Sequence, residues 1–162
     1  MSLLTRIVRL FAPNRRPAPP PASRAPGGIT EVRMPPRGAL RLRYAASANG
    51  APDAGEIVWG WVPFQEDPRQ GKDRPLLVLA PAGAGSVFAM KLTSRAPERA
   101  EGHLPLGSGE WDRERRPSWV DTDQLYEVPC ESVRREGAAL DRARFDTVAR
   151  ALADRHGWTV TG

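Results

Sequence analysis

The chain has little of what many enzyme sites are built from. One cysteine and two histidines in 162 residues rule out a disulfide within the chain and leave too few ligands for the usual four-ligand zinc site. A lone thiol is the usage expected of a reducing cytoplasm. No apolar run approaches the roughly 20 residues of a membrane-spanning helix. The patterns GxxxxGK[ST], HExxH, GxSxG and GxGxxG are all missing, which removes the P-loop, zincin, serine-hydrolase and dinucleotide readings. Lysine is scarce as well, with two against 22 arginines.

What is present is unevenly spread. Nine arginines and one acid, Glu31, lie before Ala45, together with eight of the 17 prolines ahead of Arg37. The net charge of +5 therefore hides a strongly basic first part and a mildly acidic remainder. Met1 to Phe11 has helical apolar spacing but is too short to hold a helix alone in water. Arg6 and Arg9 interrupt it, which argues against a signal peptide. The Pro/Arg/Ala/Gly-rich stretch from Pro13 to Pro36 cannot offset its ordering entropy and is expected to be an extended tail. Its arginines can neutralise phosphates without reading bases, or reflect only composition. Leu40, Leu42 and Tyr44 alternate with arginines, so residues 39–44 read either as an edge strand or as part of the tail.

A folded unit is expected from Gly55 to about Trp158. Glu56 to Phe64 alternates as a first strand, Gln65 to Arg74 is a polar loop, and Pro75 to Ala80 is a buried apolar strand. Ser86 to Thr93 makes a third strand, Ser94 to Pro117 shows no periodicity, and Ser118 to Val128 supplies one or two more. Asp141 caps a final helix with Phe145, Val148, Ala149 and Leu152 on one face and Gly157 at its stop. Short strands followed by one helix predict a small, strongly bent antiparallel barrel. Cys130 reads as a small buried or half-exposed residue, not a nucleophile, and His103 and His156 read as surface histidines. Trp59, Trp61, Trp111 and Trp119 invite base stacking.

Four pieces stand in order in this unit: Gly55-Glu56-Ile57-Val58-Trp59, Gln70-Gly71-Lys72-Asp73-Arg74-Pro75, Lys91-Leu92-Thr93-Ser94 and Asp123-Gln124. The series resembles the PemK/MazF family of bacterial toxins from toxin–antitoxin pairs. There a GD-hydrophobic-W opening, an EQxGxRP loop and a TS or TT pair lead to a DQ-bearing strand and a last helix. The resemblance implies a mainly β, SH3-like antiparallel barrel with a C-terminal helix, filling residues 55–160 after a largely disordered Arg/Pro-rich extension, 1–54. It implies a metal-independent endoribonuclease acting on single-stranded RNA, without cofactor, as a homodimer. A cognate antitoxin would be its partner, with DNA binding through the antitoxin complex.

Carried over residue by residue, Arg74 matches the arginine of the RP motif, Thr93 the threonine at the strand end and Asp123 the aspartate of DQ. Gln70, Gly71, Lys72, Lys91 and Ser94 are the candidate RNA-binding residues around them. The chemistry suits these types. When a ribose 2′-OH attacks its neighbouring phosphate, charge builds on the phosphoryl oxygens, and a forked guanidinium stabilises it. A hydroxyl adds one hydrogen bond, and a carboxylate can take the nucleophile's proton.

Three positions depart from the pattern. Lys72 and Asp73 separate Gly71 from Arg74 where the family has one residue. Arg69 replaces the glutamate before the glutamine, and Asp121 stands where one branch has a catalytic arginine. Asp73 beside Arg74 leaves two readings: an arginine free to meet phosphate, or one neutralised by its neighbour. The alternative function is a barrel of this family that binds RNA or a protein partner without cutting.

Overall fold

The computed structural model describes residues 28–47 and 50–162. The expected helix over Met1 to Phe11 and the tail up to Pro26 lie outside the described residues. From Gly28 onward the chain is part of the fold. Strands β1 (Thr30–Val32) and β2 (Arg41–Leu42) precede β3 (Glu56–Pro63), β4 (Gly71–Gly83) and β5 (Ser86–Thr93). Then come β6 (His103–Gly107), β7 (Ser118–Asp121), β8 (Leu125–Pro129), a 3-10 turn and β9 (Val133–Ala139). Helix α1 (Arg142–His156) and a short β10 (Thr159–Val160) close the chain.

The main sheet runs β1-β8-β5-β4-β3-β9 and is antiparallel throughout. Strand β5 changes partner midway. Its Ser86–Ala89 half pairs with β8, whereas Leu92 and Thr93 pair with β7, which in turn carries β6. This exchange curls the sheet into the expected barrel-like, mainly β fold with one C-terminal helix.

The apolar run of β4 is continuous because both of its faces are buried. Leu77 and Leu79 pack in one cluster with Phe145, Val148 and Leu152 of α1, and Leu76 and Val78 in a second with Val58, Tyr126 and Val128. Helix α1 begins where the Asp141 carboxylate accepts from the Arg144 backbone N–H at 2.9 Å. It ends at Gly157, left-handed at φ 72°, whose N–H reaches the Ala153 carbonyl at 2.7 Å.

Core packing also reaches upstream of Gly55. Ile29 is fully buried in the second cluster, and Leu40 and Leu42 are buried in the first. Strand β1 adds to the free edge of β8, while β2 runs parallel to β10. The Tyr44 hydroxyl donates to the Leu140 carbonyl at 2.8 Å, and Trp158 Nε1 to the Pro35 carbonyl at 3.1 Å. The alternation over residues 39–44 is realised as the two-residue β2, whereas three-residue β1 carries no periodicity to see and is made by contacts across the chain.

Residues Gly71 to Arg74 also differ from expectation. They extend β4, not the preceding loop, because the β3–β4 ladder continues through Trp61–Asp73 to Pro63–Gly71. Gly71 permits that approach: a Cβ there would stand 2.4 Å from the Val62 carbonyl oxygen. The aperiodic Ser94–Pro117 stretch contains β6, and β9 carries its polar residues outward without an apolar alternation.

Candidate active site

The β4–β5 ladder runs to the Leu76–Lys91 pair. Two residues beyond it, on the same face of each strand, stand Arg74 and Thr93. From there the strands part, and these two residues line two clefts. The first, about 420 Å³, is lined by Lys72, Asp73, Arg74, Thr93, Ser94, Arg95 and a wall of Trp59, Trp111, Asp112 and Arg116. The second, about 520 Å³, is lined by Arg74, Lys91, Thr93, Arg95, Arg99, His103, Asp121 and Asp123. Arg74, Thr93 and Arg95 are common to both.

The electrostatics turn on Asp73. Its carboxylate takes a two-pronged bond from Arg134 of β9, at 2.6 and 3.2 Å. Among the described residues the side chains of Arg74, Lys72 and Arg95 make no ion pair or hydrogen bond. Asp112 is likewise taken: Arg116 Nε donates to it at 2.8 Å and the Glu114 N–H at 3.0 Å. The Arg116 bond, followed by that N–H, holds the Asp112 carboxyl below the usual carboxylate range despite its burial. The first cleft therefore presents uncompensated positive charge, the arrangement that attracts phosphate.

Its wall is rigidly built. Buried Trp111 donates from Nε1 to Ser118 Oγ at 3.0 Å. The Arg144 guanidinium lies over its ring, 5.4 Å from the centroid, and donates to the Leu106 and Ser108 carbonyls. Trp111 is thus a structural pillar and not a stacking platform. Trp59 is half-buried in the cleft, and its Nε1 is buried with no hydrogen-bond partner among the described residues.

Lys91, Asp123 and their neighbours form a second network. Lys91 Nζ donates to Gln124 Oε1 and faces Asp121 Oδ2 at 3.5 Å. Gln124 Nε2 in turn donates to Glu31 Oε2 of β1 at 3.2 Å. Asp123 reaches the second cleft with its carboxylate bonded to Arg155 of α1. Gly102 packs against that carboxylate, where a Cβ would come within 2.3 Å of Oδ2.

Of the residues singled out in the sequence, Arg74, Thr93, Lys72 and Ser94 come together in the first cleft, and Lys91 and Asp123 join Arg74 and Thr93 in the second. Gln70 and Gly71 line neither. Gln70 is exposed and bonds Asp67 at 3.2 Å. Cys130 lines neither cleft, and burial, then Glu131, pushes its thiol up, which disfavours the reactive thiolate. His156 contacts the Thr122 carbonyl at 3.0 Å, and His103 lines the second cleft. Arg95, Arg116 and Glu31 escaped sequence reasoning. Arg95 and Arg116 sit in an aperiodic stretch, and Glu31 in a proline-rich one.

Residues 53–155 match the family model described as PemK-like, MazF-like toxin of type II toxin–antitoxin system. No curated protein matches the chain. Among solved structures, a MazE-MazF crystal structure from Deinococcus radiodurans is 25% identical. The match spans 67% of this chain and 98% of that one, with a TM-score of 0.51. A MazF crystal structure from the same organism is also 25% identical, over 67% and 99% of the two chains, at TM-score 0.48. The Mycobacterium tuberculosis toxin MazF-mt6 is 17% identical over 60% and 93%, at 0.42. With the family model covering well over half its length, the chain belongs to the PemK-like, MazF-like toxins of type II toxin–antitoxin systems.

Proposed function

We propose that the protein is an endoribonuclease that cleaves single-stranded RNA without a metal ion, and that an antitoxin holds it in check. The observation that carries this reading is Arg74: it lines both clefts together with Thr93, its guanidinium uncommitted to any described residue, while the carboxylate of the adjacent Asp73 is bound to Arg134. Arg74 binds the phosphoryl oxygens as charge develops on them, and Thr93 positions the group with one hydrogen bond.

The ribose 2′-oxygen forms the new bond to phosphorus and gives its proton to a carboxylate, for which Asp123 is the candidate. The bond from phosphorus to the 5′-oxygen breaks, and that oxygen takes a proton from water. The products are a 2′,3′-cyclic phosphate and a 5′-hydroxyl. Cations, not carboxylates, dominate the first cleft, so the protein itself supplies the charge neutralisation that a metal would otherwise bring.

The similarity to a MazE-MazF crystal structure supports an antitoxin partner for this chain, and the homodimer follows from the family resemblance. One observation favours the alternative, a barrel that binds RNA without cutting: the Asp123 carboxylate is engaged by Arg155. Purified protein incubated with a long single-stranded RNA in EDTA separates the two. Cleavage leaving cyclic phosphate and 5′-hydroxyl ends is expected. Cleavage only on adding a divalent metal, or 5′-phosphate ends, contradicts the mechanism, and RNA retained uncut establishes the binding-only form.

A further inference from the structure

Strand β1 lies outside residues 53–155, the part that matches the family model, yet it reaches the site. Thr30–Val32 pairs with β8 in a register that sets Glu31 opposite Tyr126. From there the Glu31 carboxylate accepts the Gln124 side-chain N–H at 3.2 Å. That bond fixes which way the Gln124 amide faces. Its nitrogen is turned to β1, so its oxygen is turned to Lys91, whose ammonium donates to it. Asp121 holds the ammonium from a second side at 3.5 Å. Gln124 is buried, and the Lys91 side chain is 22% exposed, so the ammonium is held while part of it meets the second cleft.

Burial in the core pushes the Tyr126 phenol up, with the charges of Glu31 and Asp121 adding to the effect and Arg74 opposing it. Lys91 lies two residues before Thr93 on the same strand, on the same face. It therefore shares the second cleft with Arg74 and Thr93.

We infer that Glu31 is a positioning residue which, through Gln124, holds the Lys91 ammonium in the second cleft beside Arg74, so that the segment upstream of the family-matched region completes the RNA site. The inference rests on the endoribonuclease reading above. Without the Glu31 acceptor, the Gln124 amide is free to turn its nitrogen toward Lys91. Two donors then face each other, and the ammonium leaves its place.

The experiment compares Glu31→Met, Glu31→Gln and Lys91→Met in the full chain, with kcat and KM measured on one fluorogenic RNA. Glu31→Met is expected to lower kcat about tenfold with KM nearly unchanged, as slight misplacement of a charged group does. Glu31→Gln, which keeps an acceptor, restores most of the rate. In a Lys91→Met background Glu31→Met has no further effect, because its influence passes through that ammonium. Equal losses in both backgrounds show a merely structural strand and overturn the inference, as does a wild-type rate in folded Glu31→Met. Should Glu31→Met fail to fold, Gln124→Met breaks the middle link and is read in the same cycle. A wild-type protein that does not cut RNA removes the endoribonuclease reading and this inference with it. Wild-type cleavage that is insensitive to Glu31 removes the inference alone.

Discussion

Asp73 is joined to Arg74 by a peptide bond, yet its carboxylate grips Arg134 of the neighbouring region of the sheet at 2.6 Å. Both residues line the first cleft, and the Asp73 carboxylate is committed to Arg134 and not to Arg74. Arg134→Ala frees that carboxylate and is expected to slow RNA cleavage. Asp73→Asn in the same background should restore the rate, and Asp73→Asn alone should leave it within about twofold, since exposed pairs contribute little to the fold. Initial rates for the three variants on one RNA check this. A fall with Asp73→Asn alone would assign Asp73 a part in the reaction itself.

The position of the domain boundary makes a second prediction. Ile29, Leu40 and Leu42 are buried, and each such side chain contributes roughly 1.5–3 kcal/mol. Their loss together is comparable to the roughly 5–15 kcal/mol by which a whole domain is stable. A protein beginning at Gly28 should melt within a few degrees of the full chain, whereas one beginning at Asp53 should lose cooperative melting. Circular dichroism melts of the two truncations decide it, and a cooperative transition in the shorter one would refute the boundary.

Gly71 carries a structural expectation. Gly71→Ala places a methyl group against the Val62 carbonyl oxygen and should cost about 1–3 kcal/mol, as overpacking does. Urea denaturation measures it. Unaltered stability with weakened RNA affinity would instead make Gly71 a binding residue.

A pH dependence follows from Asp112. Its carboxyl titrates lower in the folded protein than in the unfolded chain, chiefly through the Arg116 bond. The stability this contributes is present above the unfolded value of about 3.9 and is lost as pH falls through the lower folded value. Acid should therefore loosen the wall of the first cleft. Asp112→Asn should flatten the acid limb of the melting temperature between about pH 5 and 2, and an unchanged limb would count against this role.

Much of this was legible beforehand, for identifiable reasons. Alternation marked β3, the apolar run marked the heart of β4, and Asp141 with Gly157 bracketed the helix, because each signal is local. Arg74 and Thr93 could be paired only through a resemblance, since the contact between their strands is long-range. The role of Asp73 was undecidable from adjacency, because its partner lies 61 residues away. Strand β1 was invisible: three residues bounded by glycine and proline offer no period. Glu31 therefore looked like the one acid of a basic tail, and only the β1–β8 register brings it to Gln124.

The central claim is that an uncommitted Arg74 carries the charge of a scissile phosphate, and one comparison tests it most directly. Wild type and Arg74→Ala are incubated with the same single-stranded RNA in EDTA, their melting temperatures having been matched first. The account predicts that Arg74→Ala keeps its fold and cuts about 10²-fold more slowly, the cost of losing one oxyanion donor. A folded Arg74→Ala protein that cuts at the wild-type rate would contradict it.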